Sequence, residues 1–353
     1  MWDCRQENTD PEMISDQNEE DRKVKRLKEA GIFGGLAVIL CVSLAGCTQR
    51  TDVADAYQLY ETAAEYSTLG NTSSSGNGTL FASDLCVGGT ENTESDQVIS
   101  ECAESAGVFM VNQGEITYSQ NIYEKKYPAS TTKILTAYVA LKYGDPDQVL
   151  TASENAINTL DPASSVCGLK VGDQITLREA LYGLMLRSGN DAANVIAEGV
   201  SGSIDAFVQL MNSEALALGA TGSHFMNPSG LPDENHYTTA YDLYLIFNAA
   251  IQNEEFVNLI SSTSHDTSYL DAGGNTVTAT WTNSNGYLSG AYKQPEGVTV
   301  IGGKTGTTQD AGYCLVLYSQ NESGEPVISV VLKGNSRGDL YKIMTQMLSN
   351  FSN

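Results

Sequence analysis

A chain of 353 residues exceeds one ordinary domain, so a large catalytic unit flanked by non-domain segments is the natural expectation. Hydrophobic residues at 41% and charged residues at 18% exclude a disordered or fibrous protein. With 19 basic against 43 acidic residues, a formal charge of −24, nucleic acid and anionic lipid headgroups are disfavoured as polyvalent partners.

Arg22, Lys23, Lys25, Arg26 and Lys28 form a basic cluster, followed by the apolar run Ile32 to Leu44 and then Leu44-Ala45-Gly46-Cys47. A basic stretch, a short apolar core and a small-residue exit describe an export signal. The run is shorter than the ~20 residues a membrane-spanning helix needs. Leu-Ala-Gly-Cys resembles the bacterial lipobox, which makes Cys47 a candidate lipidation site. The other reading is an uncleaved anchor, and the long acidic stretch from Met1 to Asp21 fits it better. Under both readings the positive-inside rule places the remainder at the extracytoplasmic face of the membrane. Residues 1–46 are therefore expected to be tail and signal, and 47–104 a flexible tether whose small polar residues bury too little surface to fold. Cys86 and Cys102 could pair in an exported chain.

The catalytic unit is expected over residues 105–353. Gly107–Val111 and Glu115–Tyr118, joined at Asn112-Gln113-Gly114, read as a hairpin. Ile134–Leu141 reads as a buried helix, and Thr176 with Glu179 is a capping box opening a second one. That helix breaks at Gly189 and a third starts near Asp191. Thr239 and Asp242 repeat the capping pattern before Leu243–Phe247. Val298–Ile301, Tyr313–Tyr318 and Val327–Leu332 read as strands, with a final helix from about Asp339. Strands at both ends and helices between predict one sheet built from the two ends, with a cleft where a helical lobe meets it.

Three short motifs fall at the places where such a cleft would form. In Ser130-Thr131-Thr132-Lys133, residues three apart share a helix face, so the amine can reach the hydroxyl. A serine hydroxyl is a weak nucleophile and needs an adjacent base, which requires the lysine to be neutral. Ser188-Gly189-Asn190 lies at a break between helices, where the glycine lets two polar side chains project. Lys304-Thr305-Gly306 lies on a strand, pairing a fixed charge with a glycine that lets a substrate backbone lie against the edge.

Together, and in this order, the motifs resemble those of the low-molecular-weight penicillin-binding proteins, the serine-type D-alanyl-D-alanine carboxypeptidases. Gly168–Asp173, Leu186–Ala193 and Asn227-Pro228-Ser229-Gly230-Leu231 resemble other stretches of that family. The resemblance implies an α/β (α+β), β-lactamase/transpeptidase-like fold and no cofactor or metal. It implies peptidoglycan stem peptides as substrates, β-lactams as trapping ligands and no nucleic acid. Ser130 would attack the D-Ala-D-Ala carbonyl and Lys133 accept its proton. Ser188 would relay a proton to the leaving D-alanine, and Asn190 hold the substrate amide. Lys304 with Thr305 would bind the charged end, Gly306 and Thr307 would also contact the substrate, and the N–H groups of Ser130 and Thr307 would be the oxyanion donors. Where some relatives carry Asn-Arg-Asn this chain has Asn283-Ser284-Asn285, and Arg337 is a candidate to supply the missing guanidinium.

Gly334-Asn335-Ser336-Arg337-Gly338 matches G-x-S-x-G, but an α/β-hydrolase needs a later histidine, and none follows Ser336. A class A β-lactamase or a D,D-endopeptidase on the same fold, and a non-catalytic peptidoglycan-binding relative, are the remaining alternatives. Zinc chemistry is disfavoured because His224, His236 and His265 show no ligand spacing.

Overall fold

The computed structural model describes residues 85–353. The export signal, Cys47 and the tether as far as residue 84 lie outside the described residues.

Strands β1 (Ala103–Met110), β2 (Glu115–Gln120), β7 (Thr299–Thr308), β8 (Gly312–Gln320) and β9 (Pro326–Gly334) form one sheet in the order β2-β1-β9-β8-β7. Every pairing is antiparallel. Both ends of the catalytic unit therefore share one sheet, as the strand pattern predicts. The inner strands β8 and β9 are largely apolar on both faces because both are covered. Leu315, Leu317 and Val331 pack against Leu340, Met344 and Met347 of the terminal helix α8 (Arg337–Phe351). The alternate residues Cys314, Val316, Ile328 and Val330 join the core of the helical lobe.

That lobe is built around α1 (Lys133–Tyr143), whose Ile134, Leu135, Ala137, Val139 and Ala140 are all buried. Around it lie α3 (Leu177–Leu186), α4 (Asn190–Ser201), α5 (Ile204–Ala217) and α6 (Ala240–Ala250). The short helices α2 (Glu154–Asn158) and α7 (Glu254–Ser261) complete it. The caps read from the sequence form: Thr176 Oγ1 accepts from Glu179 N at 3.3 Å and Thr239 Oγ1 from Asp242 N at 3.0 Å. Such a cap is worth about 1 kcal/mol over alanine. Phe109 of β1 stacks on Tyr244 of α6 with centroids 4.3 Å apart, locking sheet to lobe.

A second sheet, β3-β4-β5-β6, comprises β3 (Val149–Thr151), β4 (Gln174–Thr176), β5 (Ser264–Leu270) and β6 (Thr276–Thr282). Packing also extends N-terminally of Ser105, into residues assigned to the tether on composition. Cys86 is fully buried, its N–H donates to Tyr244 Oη at 2.7 Å, and Thr93 N donates to Ser119 O at 2.7 Å. Cys86 and Cys102 are both free thiols, so the pairing that export would allow does not form. Cys86 belongs to the lobe's core and Cys102 to the cluster on the α8 side, with the sheet between.

Candidate active site

Ser130 sits in a short 3-10 turn, Ala129–Thr132, that runs directly into α1. Ala129 is held at φ 49°, a left-handed backbone that costs an alanine roughly 1 kcal/mol or more. The turn is pinned by Thr131 Oγ1 donating to Pro128 O at 2.7 Å and by Thr132 Oγ1 bonding His236 Nε2 at 2.9 Å. Behind it lies Gly230 at φ 86°, where a Cβ would stand 1.8 Å from Ala129 O. Gly306 of β7 closes the other side: a Cβ there would lie 3.0 Å from Ser130 N, Thr131 N and Pro128 O. The sequence reading gave that glycine to substrate approach. Its missing side chain also makes room for the serine turn itself.

Lys133 is fully buried, and its Nζ lies 3.0 Å from Ser130 Oγ, 2.8 Å from Asn190 Oδ1 and 2.6 Å from Ser229 O. Burial drives its pKa well below the ordinary lysine value, and the charge of Lys304 adds to that, while Asp191 pulls the other way. A neutral amine has two N–H groups and one lone pair. With Asn190 and Ser229 accepting the two N–H groups, the lone pair is left for the Ser130 hydroxyl. This arrangement can accept a proton from Ser130 without moving either partner.

Ser188 stands at the break between α3 and α4, at φ 58°. Its Oγ accepts from Lys304 Nζ at 3.0 Å, and Lys304 also donates to Thr305 O at 2.8 Å. Burial lowers the Lys304 pKa to about 7. Asn190 opens α4, and the neighbouring Asp191 anchors the segment before α3. Its carboxylate accepts from the N–H groups of Cys167, Gly168 and Leu169 at 2.8–3.1 Å.

Thr305 and Thr307 line a cavity of about 200 Å³ with Ser284, Tyr313, Arg337 and Tyr341. Ser284 Oγ bonds Thr305 Oγ1 at 2.6 Å, and Arg337 Nη2 donates to Ser284 O at 3.5 Å. The expected substitute guanidinium is therefore beside the two threonines. Thus Ser130, Lys133, Ser188, Asn190, Lys304, Thr305, Gly306 and Thr307 converge, from three separate stretches of chain. Two contributors were not read from sequence. The Ser229 carbonyl carries no residue-type signal, and His236 showed only as one of three scattered histidines.

The rival serine is elsewhere in role. Ser336 caps α8, accepting from Asp339 N at 3.0 Å and bonding the Asp339 carboxylate at 2.7 Å. The histidines do not cluster: His236 bonds Thr132, His265 bonds Glu179 and His224 bonds the Asn235 carbonyl.

A profile of the D-alanyl-D-alanine carboxypeptidase family matches residues 90–336. Over 251 residues the chain is 33% identical to the D-alanyl-D-alanine carboxypeptidase DacF of Bacillus subtilis, covering 70% of this chain and 61% of that one. It is 32% identical over 276 residues to a D-alanyl-D-alanine carboxypeptidase of Streptomyces sp. strain K15, covering 74% and 92%. Against DacA of Escherichia coli the match is 35% over 246 residues, 66% of this chain and 57% of that one. The chain thus spans about three fifths of the Bacillus and Escherichia relatives and nearly all of the Streptomyces one. The crystal structure of the Streptomyces K15 DD-transpeptidase superposes with a TM-score of 0.63 at 31% identity, covering 69% of this chain and 97% of that one. The chain belongs to the peptidase S11 family, the D-alanyl-D-alanine carboxypeptidases.

Proposed function

We propose that the chain hydrolyses the terminal D-Ala-D-Ala bond of peptidoglycan stem peptides through an acyl-serine on Ser130, and that penicillin traps the same serine. The observation that carries this is the buried Lys133 amine, 3.0 Å from Ser130 Oγ with both its N–H groups already accepted. Ser130 Oγ attacks the carbonyl carbon as its proton passes to Lys133. The N–H groups of Ser130 and Thr307 hold the oxyanion, where one such donor is worth about 3 kcal/mol. The C–N bond breaks and D-alanine leaves after taking a proton through Ser188, which Lys304 holds. Water then attacks the ester, Lys133 again takes the proton, and Ser130 is regenerated. Asn190 positions the substrate amide, and Lys304, Thr305, Thr307 and Arg337 bind the terminal carboxylate. In penicillin the same attack opens the lactam ring, and the tethered leaving group stays in the site.

Residues 105–353 form the catalytic unit of this reading, with the preceding residues from Leu85 packed onto it, and the N-terminal segment holds it outside the cytoplasm. The lipobox-like Leu44-Ala45-Gly46-Cys47 supports a lipid on Cys47, with an uncleaved anchor as the other form of attachment. Cys47→Ala should release the protein from the membrane or block its processing; unchanged retention and mobility would sink the lipid.

Labelling the full-length protein with a fluorescent penicillin tests the nucleophile. Lasting label is expected on wild type and Ser336→Ala and none on Ser130→Ala. No label on folded wild type would leave a non-catalytic peptidoglycan-binding chain. A second reading, acyl transfer to an amine, is supported by the likeness to a solved DD-transpeptidase. Release of D-alanine without a cross-linked product, in the presence of an acceptor amine, would decide for hydrolysis.

A further inference from the structure

A second cavity, of about 440 Å³, opens beside the segment that leads into the Ser130 turn. Lys125 and Tyr127 line it from the segment leading into that turn, Glu234 and Tyr237 from the segment after Ser229, Asp310 from the β7–β8 turn, and Lys333 from the end of β9. Lysines are scarce in so acidic a chain, yet Lys126 lines the same cavity as Lys125 and Lys333. Lys126 is satisfied by Glu104 at 2.8 Å and Glu124 at 3.0 Å. Lys125 and Lys333 have no carboxylate partner among the described residues. The Lys125 ammonium lies 4.0 Å from the centroid of the Tyr237 ring, and Lys333 donates to the Asp310 backbone carbonyl. Glu234 and Asp310 have no cationic partner among the described residues either. Lys333 is also held at φ 56°, beside the irregularity in the β8–β9 pairing. A bulky residue keeps that backbone only where its surroundings impose it.

The order of groups along β7 says what reaches this cavity. Arg337, Thr305 and Thr307 stand where the terminal carboxylate of a substrate would bind, and Thr307 N faces the scissile carbonyl in the proposed reaction. The acyl side of the substrate then continues past Thr308 towards Asp310. Asp310, in the turn three residues beyond Thr307, is at most roughly 10 Å along the chain, within the reach of one further residue and its four-carbon side chain. That residue is the diamino acid preceding the D-Ala-D-Ala pair.

We infer that this cavity is a specificity subsite for that diamino acid and selects a side chain ending in a zwitterion, with its carboxylate on Lys125 and Lys333 and its ammonium on Glu234 and Asp310. The inference rests on the D,D-peptidase reading above. A side chain ending in an ammonium alone would satisfy only the acidic half of the cavity and leave the two lysines without an anion.

The test is D-alanine release by the full-length protein from two pentapeptides that differ only at the third residue, meso-diaminopimelate or lysine. The expected kcat/KM ratio favours the diaminopimelate substrate about tenfold, the worth of one charge-assisted bond. The double variant Lys125→Gln with Lys333→Gln should bring the ratio to about one by slowing only that substrate, while Lys142→Gln, on α1, leaves the ratio unchanged. Glu234→Gln should lower turnover of both substrates, since both carry the ammonium. Equal wild-type rates on the two substrates, or a double variant that slows both alike, would overturn the subsite. Penicillin labelling of Ser130 separates the two levels. Label without preference between substrates defeats the subsite alone, whereas no label and no D-alanine release defeats the parent reading and the subsite with it.

Discussion

Lys304 and Lys133 are two buried amines in one cleft, and the charge on Lys304 is among the causes that hold Lys133 low. Burial is the larger cause, and Asp191 opposes both. Activity needs Lys133 neutral, so the acid limb of the rate follows its pKa. Replacing Lys304 with glutamine removes the repulsion and lets the Lys133 pKa rise. The acid limb of penicillin acylation should therefore move to higher pH, in addition to a loss of rate from weaker carboxylate binding. Stopped-flow acylation across pH measures it; a limb that stays in place would show that burial acts alone.

Asp191→Asn should move the same limb the other way. The charge of Asp191 favours protonated Lys133, so its removal lowers the Lys133 pKa further. Asparagine also cannot accept all the N–H groups of Cys167, Gly168, Leu169 and Ala192 that converge on the carboxylate. Leaving buried donors unpaired costs about 1–3 kcal/mol, so the melting temperature falls as well. Opposite shifts in the two variants would tie both residues to one titrating amine. A shift in the same direction would contradict that link.

The three motifs and the strands at both ends were legible because each has a one-dimensional signature. Val327–Leu332 is a β-branched and apolar run interrupted only by the buried Ser329, as expected of a strand covered on both faces. The β5–β6 hairpin was not legible for the opposite reason. Val277, Ala279 and Trp281 do alternate with threonines along β6, but of these only Trp281 is buried, and β5 is mostly Ser, His, Asp and Thr, so the apolar signal is weak. Ser130, Lys133 and Lys304 could be named because their chemistry is in their side chains. The Ser229 carbonyl, the left-handed Ala129 and the role of Gly306 as room for the serine turn are backbone facts. Only the three-dimensional packing reveals them.

Gly230 offers a test of that backbone frame. An alanine there needs φ 86° and would place its Cβ 1.8 Å from Ala129 O, so the Ser130 turn must shift. We expect Gly230→Ala to lose more than about 3 kcal/mol of stability or to fold with acylation reduced at least ~100-fold. Gly274→Ala is the control, since φ is 80° but nothing lies within 4 Å of the new Cβ. It should cost only about 1 kcal/mol and leave acylation intact. Equal effects of the two substitutions would mean that the strained φ, and not the contact with the turn, sets the loss.

His236 makes stability depend on pH in a defined window. It is buried, and burial lowers its pKa from 6.5 to about 4. As a neutral ring it accepts from Met226 N on Nδ1 at 3.1 Å and donates from Nε2 to Thr132 Oγ1 at 2.9 Å. The unfolded chain binds a proton at this residue below pH ~6.5, whereas the folded one binds it only near pH 4. Its contribution is therefore fully present above pH ~6.5 and is lost progressively as pH falls to about 4, by up to about 3 kcal/mol. Because the ring bonds Thr132 in the Ser130 turn, penicillin acylation at low pH should fail together with the fold. Urea unfolding at pH 7 and pH 4.5 measures the drop, which should shrink in His236→Gln even though that variant is weaker at pH 7. An unchanged drop in the variant would place the acid sensitivity on the carboxylates instead.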